Sequence, residues 1–322
     1  MARAAVPIAI YYEHPGWFQE LFAALERHGL PYRKIFVPDH VLDPAAPFED
    51  GALVFNRMSA SAYTRGHGDA LAYAQDVLTA LELRGVSVIN GTRAYSFEIS
   101  KAKQLALLGS LGLSFPKSRV LHRADQVATA ARELTFPLVF KPNIGGRGTG
   151  IVRFDDDRTL HEAARSGTLD FGPDSVALLQ EYEPKRDDKI TRVEILGAQY
   201  LYAIDVRTSG ETFDLCPADV CTLPAAAGNG ASDARVPVVT ATKAQPPAEA
   251  ISDVERICAA AGIEVGGVEF LVDDRDGRRL YYDINALSNF VAHPVETIGF
   301  DPWDRLVDWL ESKVRAGKES HA

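Results

Sequence analysis

Two rhythms of apolar and polar residues alternate along the N-terminal stretch of the chain. The runs "VPIAIYY" (6–12), "YRKIFV" (32–37), "ALVFN" (52–56) and "VSVIN" (86–90) are short and rich in β-branched or aromatic residues, which predicts strands. Between them, "WFQELFAALERHG" (17–29) and "DALAYAQDVLTALELRG" (69–85) repeat apolar residues at helical spacing, and Gly29 closes the first. Strands alternating with helices predict a parallel sheet covered on its faces, a small α/β unit. A helix over 96–111 ("SFEISKAKQLALLGSL") follows, and Pro116 restarts the chain. Over 116–180 the pattern alternates again through "SRVL", "QVATAARELT", "PLVFK", "IVRF", "TLHEAARSG" and "VALLQEY". Beyond 190 it becomes mostly antiparallel strands: "TRVEILG", "YLYAIDVR", "GVEFLVD" and "RLYYDIN". A loop rich in Ala, Gly and Pro (224–248) and a helix near 249–262 interrupt them, and no internal repeat is present.

The strongest chemical signal is "FKPNIGGRGTGIVRF" (140–154), where Lys141 precedes four glycines in six positions and a strand-like run follows. Ordered glycine costs backbone entropy, so such a cluster marks a backbone that bends sharply or approaches a partner closely. The strand–loop–strand setting predicts a hairpin lid over a nucleotide. It is not a Walker A loop, whose lysine ends the glycines and opens a helix. A kinase hairpin is excluded by order: "HRAD" (122–125) precedes the loop, no Asn follows it at the kinase spacing, and Asp-Phe-Gly at 170–172 is a chance match. The first strand runs into "EHPGW" without Gly-x-Gly-x-x-Gly, so the dinucleotide cradle is missing too.

A second signal lies in "GGVEFLVDDRDGRRLYYDINALSNF" (266–290), two strand-like runs around the turn "DDRDG". A turn centred near 274–277 sets Glu269 opposite Asp283. Alternation then points Asp283 and Asn285 one way, Tyr282 and Ile284 the other. Facing carboxylates repel unless something positive lies between them. Glu, Asp and Asn supply only oxygen ligands, which suits Mg²⁺ or Mn²⁺ carrying nucleotide phosphates. An exposed acidic face accounts for Asp273, Asp274 and Asp276 in the turn, but not for Asp283 within "LYYDINAL".

Composition narrows the partners. With 34 basic and 44 acidic residues the net charge is −10, which argues against gripping nucleic acid through phosphates. Three cysteines fit a reducing compartment rather than a disulfide framework. The opening "MARAAVPIAIYYEHPGW" has an apolar run too short for a signal peptide, and no run reaches membrane-span length. The expectation is a cytoplasmic protein.

A lysine before a glycine-rich hairpin, then a Gln-Glu hinge, then an acid and an Asp-x-Asn on later strands follow the ATP-grasp order. Over nearly its whole length the chain resembles the carboxylate–amine ligases of that superfamily, and the RimK-type glutamate ligases above all. "ISKAKQLALLGSLGLSFP" is similar to the helix with the first ATP-contacting lysine, "FPLVFKPNIGGRGTGIVRF" to the second lysine and its loop, "LLQEYEP" to the hinge and "DINALSNF" to the metal-binding strand. "RVEILGAQYLYAIDVR" resembles the two strands after the hinge, and 52–90 the N-terminal run with an arginine after a strand.

The resemblance implies an ATP-grasp fold, α/β with an α+β C-terminal half. A Rossmann-like pre-ATP-grasp domain would cover 1–95, a central subdomain with the lid 96–180, a C-terminal subdomain with the metal site 181–315 and a tail 316–322. It implies ATP and Mg²⁺ (or Mn²⁺) as cofactors. Lys101 and Lys141 would contact ATP, Lys141 on the phosphates, together with Gly145, Gly146, Arg147 and Gly148 of the lid and Gln180 of the hinge. Backbone groups of Glu181 and Tyr182 would hold the adenine edge, and Glu183 or a nearby acid the ribose. Glu269, Asp283 and Asn285 would bind the metal. Arg192 and Arg207 would stand near the transferred phosphoryl group, and Arg57, Asp214, Ser288 and Asn289 would face the substrates.

The implied reaction joins a small-molecule or peptide carboxylic acid to an amine through an acyl phosphate, with no nucleic acid or membrane involved; a homo-oligomer stays open. Two other classes share the scaffold: a small-molecule kinase and a nucleotide-binding regulatory protein. Some positions depart from the family. Ser100 stands where an Asp is usual, Ile190 replaces an acid two positions before Arg192, and "FDLCPADVC" (213–221) replaces an Arg-x-Asn. Asp187 or Asp188 is the expected substitute for the acid missing at Ile190. Asp214 and Asp219 there suggest a cationic amine substrate, and Cys216 and Cys221 read as interior thiols.

Overall fold

In the computed structural model, which describes residues 7–14, 16–45, 48, 53–146, 148–208 and 239–319, three sheets follow one another along the chain. The first is parallel. Strand β1 (Ile8–Tyr12) lies between β2 (Tyr32–Phe36) and β3 (Leu53–Arg57), with β4 (Ser87–Ile89) outside β3. Alternate residues of β1 face opposite sides. Ile8 and Ile10 pack with α1 (Gln19–Arg27), while Ala9 and Tyr11 pack with α2 (Asp69–Leu83). Both faces are thus covered, as a parallel sheet requires.

Helices α3 (Thr92–Glu98) and α4 (Lys101–Ser110) lead to the second sheet. Strand β5 (Ser118–Leu121), helix α5 (Val127–Ala131), β6 (Leu138–Pro142), β7 (Val152–Phe154), α6 (Asp157–Ser166) and β8 (Ala177–Glu181) build an antiparallel sheet of order β5-β8-β6-β7. The glycine-rich loop joins β6 to β7, the hairpin that its sequence predicts.

The third sheet is formed by β9 (Lys189–Leu196), β10 (Gln199–Thr208), β11 (Val239–Lys243), β12 (Val265–Val272) and β13 (Arg279–Asn285), all antiparallel in the order β11-β10-β9-β12-β13. Helix α7 (Ala248–Ala261) packs with α4 on one face through Val254, Ile257 and Leu108. On the other face Ile190, Tyr202 and Ile204 share a core with α1, β1 and α9 (Pro302–Glu319), which follows the short α8 (Pro294–Ile298). Asn90 ties the first sheet to the third. Its buried amide donates to the Val265 and Ala286 carbonyls, both at 2.6 Å, and accepts from the Glu264 and Val265 amides.

Several elements differ from the sequence expectation. The single helix over 96–111 is two helices, because Ser100 is extended (φ −153°) and caps α4 by accepting from the Lys103 amide. The 224–248 loop contains β11, whose β-branched residues outweigh the loop's composition. Helix α9, which runs to Glu319, is not among the elements read from the sequence. Asp273 is fully buried against Arg275 rather than part of an exposed acidic face.

Candidate active site

The register of the third sheet creates the site. Glu269 on β12 pairs with Asp283 on β13 and, on its other side, with Arg192 on β9, so three charged residues form one row across three strands. A β-bulge interrupts that hairpin: Glu269 opposes Asp283 while Phe270 opposes Tyr281, leaving Tyr282 as the extra residue. Tyr282 therefore does not turn away as strict alternation implies. Its hydroxyl donates to Glu269 Oε2 at 2.8 Å.

Every carboxylate in the row has a partner of its own. Arg192 donates to Glu269 Oε1 at 2.9 Å, to Glu194 Oε1 at 2.5 Å and to Ser288 Oγ at 3.1 Å. Lys101 forms a short ion pair with Asp283, and Asn285 donates to the same carboxylate at 3.3 Å. Burial works against the Lys101 charge, yet Asp283 holds its pKa above the ordinary value; in return Lys101 holds Asp283 below its own. The expected repulsion between Glu269 and Asp283 is thus answered within the chain.

Helix α4 brings Lys101 to this row. Gln104, one turn on, donates to the Ile284 carbonyl and accepts from the Ile284 amide, locking α4 to β13. Asn143, just past β6, accepts from the Ala102 amide at 2.8 Å and holds the helix start beside the lid strand. Lys141 is buried in β6, and burial, with Lys101 second, lowers its pKa to about 7. The turn after it requires glycine: Gly150 has φ 74°, and a Cβ there would lie 2.8 Å from Pro142.

One cavity gathers Lys101, Lys141, Gly145, Gly146, Gly148, Arg192, Glu269, Asp283, Asn285 and Asn289. The other sequence candidates stand elsewhere. Gln180 donates to Ser118 Oγ, and of the Glu181 and Tyr182 backbone groups the amides donate to the Lys117 and Pro137 carbonyls. Glu183 is buried and paired with Arg275. Arg207 is exposed, on the face of β10 opposite Ile204 and Val206, and does not reach the cavity. Ser288 lies behind the wall, donating to Glu194 at 2.7 Å.

Arg57 is neither a surface ion pair nor a wall residue. It is fully buried against the Phe18 and Phe55 rings and donates to the Ser288 carbonyl at 2.5 Å, and burial pulls its pKa down to about 10. Arg147, Asp214, Asp219, Cys216 and Cys221 lie outside the described residues.

Sequence reasoning missed Glu194, Tyr282, Trp17 and Glu98. Glu194 shares a strand face with Arg192, which two-residue alternation signals. A Cβ at Gly267 would collide with it, so glycine makes its room. Glu98, at the end of α3, accepts from the Ala286 and Leu287 amides and fixes the backbone beyond Asn285. Burial pushes its carboxyl up to about 7, with Asp283 adding to the rise. Trp17 lines the cavity from the β1–α1 loop.

No family model matches the chain. Among curated proteins it is similar to carbamoyl phosphate synthase large chains. That of Xanthomonas campestris pv. campestris is 38% identical over 82 residues, 24% of this chain and 8% of the relative. That of Kocuria rhizophila is 28% identical over 160 residues, 46% of this chain and 14% of the relative. The chain thus spans less than a fifth of those relatives' length. Whole-chain likeness appears among solved structures. The ATP-grasp ligase PsnB, complexed with a precursor variant, Mg and ADP, has a TM-score of 0.68 at 18% identity, covering 97% of this chain and 100% of that one. D-alanine–D-alanine ligase from Bacillus anthracis, complexed with ATP, gives 0.65 at 17%, covering 99% and 100%. A RimK-domain ATP-grasp protein from Sphaerobacter thermophilus gives 0.62 at 16%, covering 94% and 99%. The fold of this chain is the ATP-grasp fold.

Proposed function

We propose that the protein is an ATP-dependent carboxylate–amine ligase that forms an amide or peptide bond and releases ADP and phosphate. The observation that carries this reading is the cavity in which Lys101, Lys141 and the glycine-rich loop face Glu269, Asp283 and Asn285. Those three residues fit Mg²⁺ or Mn²⁺: they offer oxygen donors alone, and Lys101 and Arg192 already supply them with positive charge that a dication would take over. ATP with its metal supplies the phosphoryl group that converts a carboxylate into an acyl phosphate, from which an amine displaces phosphate.

The chain's own part is binding and shielding. Lys101 and Lys141 neutralise phosphate charge, and the glycine-rich loop covers an acyl phosphate that water would hydrolyse. Arg192 and Tyr282 hold Glu269 in place. Small-molecule or peptide acids and amines are the proposed substrates: PsnB, among the similar structures, is complexed with a precursor peptide. The net charge of −10 speaks against nucleic acid, and among the described residues no helix is long and apolar enough to cross a membrane. Few cysteines support a cytoplasmic setting. ADP release that requires both Mg²⁺ and a carboxylic acid tests the reading; release indifferent to every acid offered contradicts it.

Nucleotide binding carries a pH signature. Polyphosphate beside Lys141 favours its charged form, so binding raises a pKa that stands at about 7 in the free protein. Below that value the lysine is already protonated and affinity is flat. Above it, binding takes up a proton, and affinity falls by up to about tenfold per pH unit. Calorimetry at about pH 8, where the nucleotide's phosphates are ionised, is expected to show proton uptake across buffers of different ionisation enthalpy. Heats independent of buffer would contradict the assignment.

A further inference from the structure

A second cavity adjoins the first. It lies between α1 and the irregular segment 289–293 with the start of α8, and at about 190 Å³ it is as roomy as the phosphate cavity at about 160 Å³. Trp17 and Asn289 line both, so this pair stands at the boundary. The wall beyond them is largely apolar, with Ala23, Phe290, Val291 and Trp303. At its rim, Arg27 and Asp301 pair at 3.2 Å, and Arg27 also meets Asp304 at 2.7 Å. Glu20 and His293 also line the groove, and between these polar groups the apolar wall suits an apolar occupant.

The boundary itself is built and polar. Trp17 is 5% exposed, stacked on the His14 ring at 4.4 Å and beneath the Arg65 guanidinium at 5.0 Å, yet its Nε1 finds no acceptor among the described residues. Arg57 Nη2 lies 3.4 Å from Asn289 Oδ1, which turns that amide's oxygen toward Arg57. Arg57 Nε and Nη1 are also buried without an acceptor. Buried donors without acceptors are rare; Arg57 lines neither cavity, but Trp17 lines both, so its free N–H points to a ligand that supplies oxygen.

Resting on the ligase reading, we propose that the second cavity holds the body of the acid substrate. That substrate is a carboxylic acid on an apolar or aromatic tail, longer than a single small amino acid. The tail lies between α1 and segment 289–293, and the carboxylate crosses at Trp17 and Asn289 to the phosphate cavity, accepting from Trp17 Nε1. Tail recognition then sets which acid is activated.

The test measures ADP and hydroxamate in hydroxylamine with acetate, alanine, phenylacetate, phenylbutyrate and phenylhexanoate as probes. The expected kcat/KM rises at least about tenfold from the short acids to the longer phenylalkanoates. Ala23→Phe, at an exposed position of α1, is expected to remove that rise by filling the groove. Trp17→Phe, which keeps an aromatic ring and loses the N–H, is expected to raise KM for the longer acids about tenfold. Hydroxamate formed equally well from all five acids would overturn the groove and leave the ligase reading standing. A rise with tail length that survives in a folded Ala23→Phe protein would do the same. No hydroxamate from any of the five acids, in protein that binds ADP, would overturn this proposal, and ADP released with a phosphorylated alcohol in its place would remove the ligase reading as well.

Discussion

Lys141→Met is expected to cut acid-dependent ADP release by about 100-fold or more while leaving the melting temperature at or above that of the parent protein. The lysine sits in the middle of the second sheet at 5% exposure, and its ammonium donates no hydrogen bond among the described residues. Burial and the neighbouring Lys101 lower its pKa to about 7, so the fold gains little from the charge it keeps there. Methionine fills similar volume without that charge. Stability and turnover should therefore part company. ADP release and thermal melting on the same preparation check this, and undiminished release from a folded variant would end the phosphate-binding assignment.

Asp283→Asn is expected to abolish Mg²⁺-dependent turnover and, in the metal-free protein, to lower stability by roughly 1–3 kcal/mol. The sequence alone leads to the opposite sign for stability, since Glu269 faces Asp283 and two carboxylates repel. The structure supplies what that argument lacks. Glu269 is held by Arg192 and Tyr282, and Asp283 by Lys101 and Asn285. Neutralising Asp283 leaves Lys101 without its counter-charge and close to Lys141. Denaturant unfolding in chelator measures the difference, and a variant as stable as its parent would contradict the ion pair.

The two rhythms of apolar residues were enough to order the strands and helices of the first two sheets, because each strand buries at least one face; in the third they missed β11, hidden in a stretch of loop-like composition. Local exceptions were not legible. The break at Ser100 depends on Asn143, distant in sequence, which receives the start of α4. The bulge at Tyr282 leaves no trace in an alternating run, yet it decides that a tyrosine reaches Glu269. The metal-row candidates were readable because hairpin register follows from turn position. The roles of the arginines were not. Arg57 and Arg207 look alike in sequence, and burial against Phe18 and Phe55 separates one from the exposed other. The hinge candidates rest on motif order alone, and the partners of the Glu181 and Tyr182 amides come from the chain just before β5 and β6, which no local pattern encodes.

The central claim is that a carboxylate is activated as an acyl phosphate, and trapping with hydroxylamine tests it most directly. Hydroxylamine is small and strongly nucleophilic, so it enters a site whose natural amine is unidentified. With ATP, Mg²⁺ and a panel of carboxylic acids, the account predicts ADP and hydroxamate in equal amounts for the acids that are accepted. The Lys141→Met protein serves as the blank and should form neither. ADP released together with a stable phosphorylated alcohol, and never with hydroxamate, would contradict the ligase and identify a kinase on the same fold.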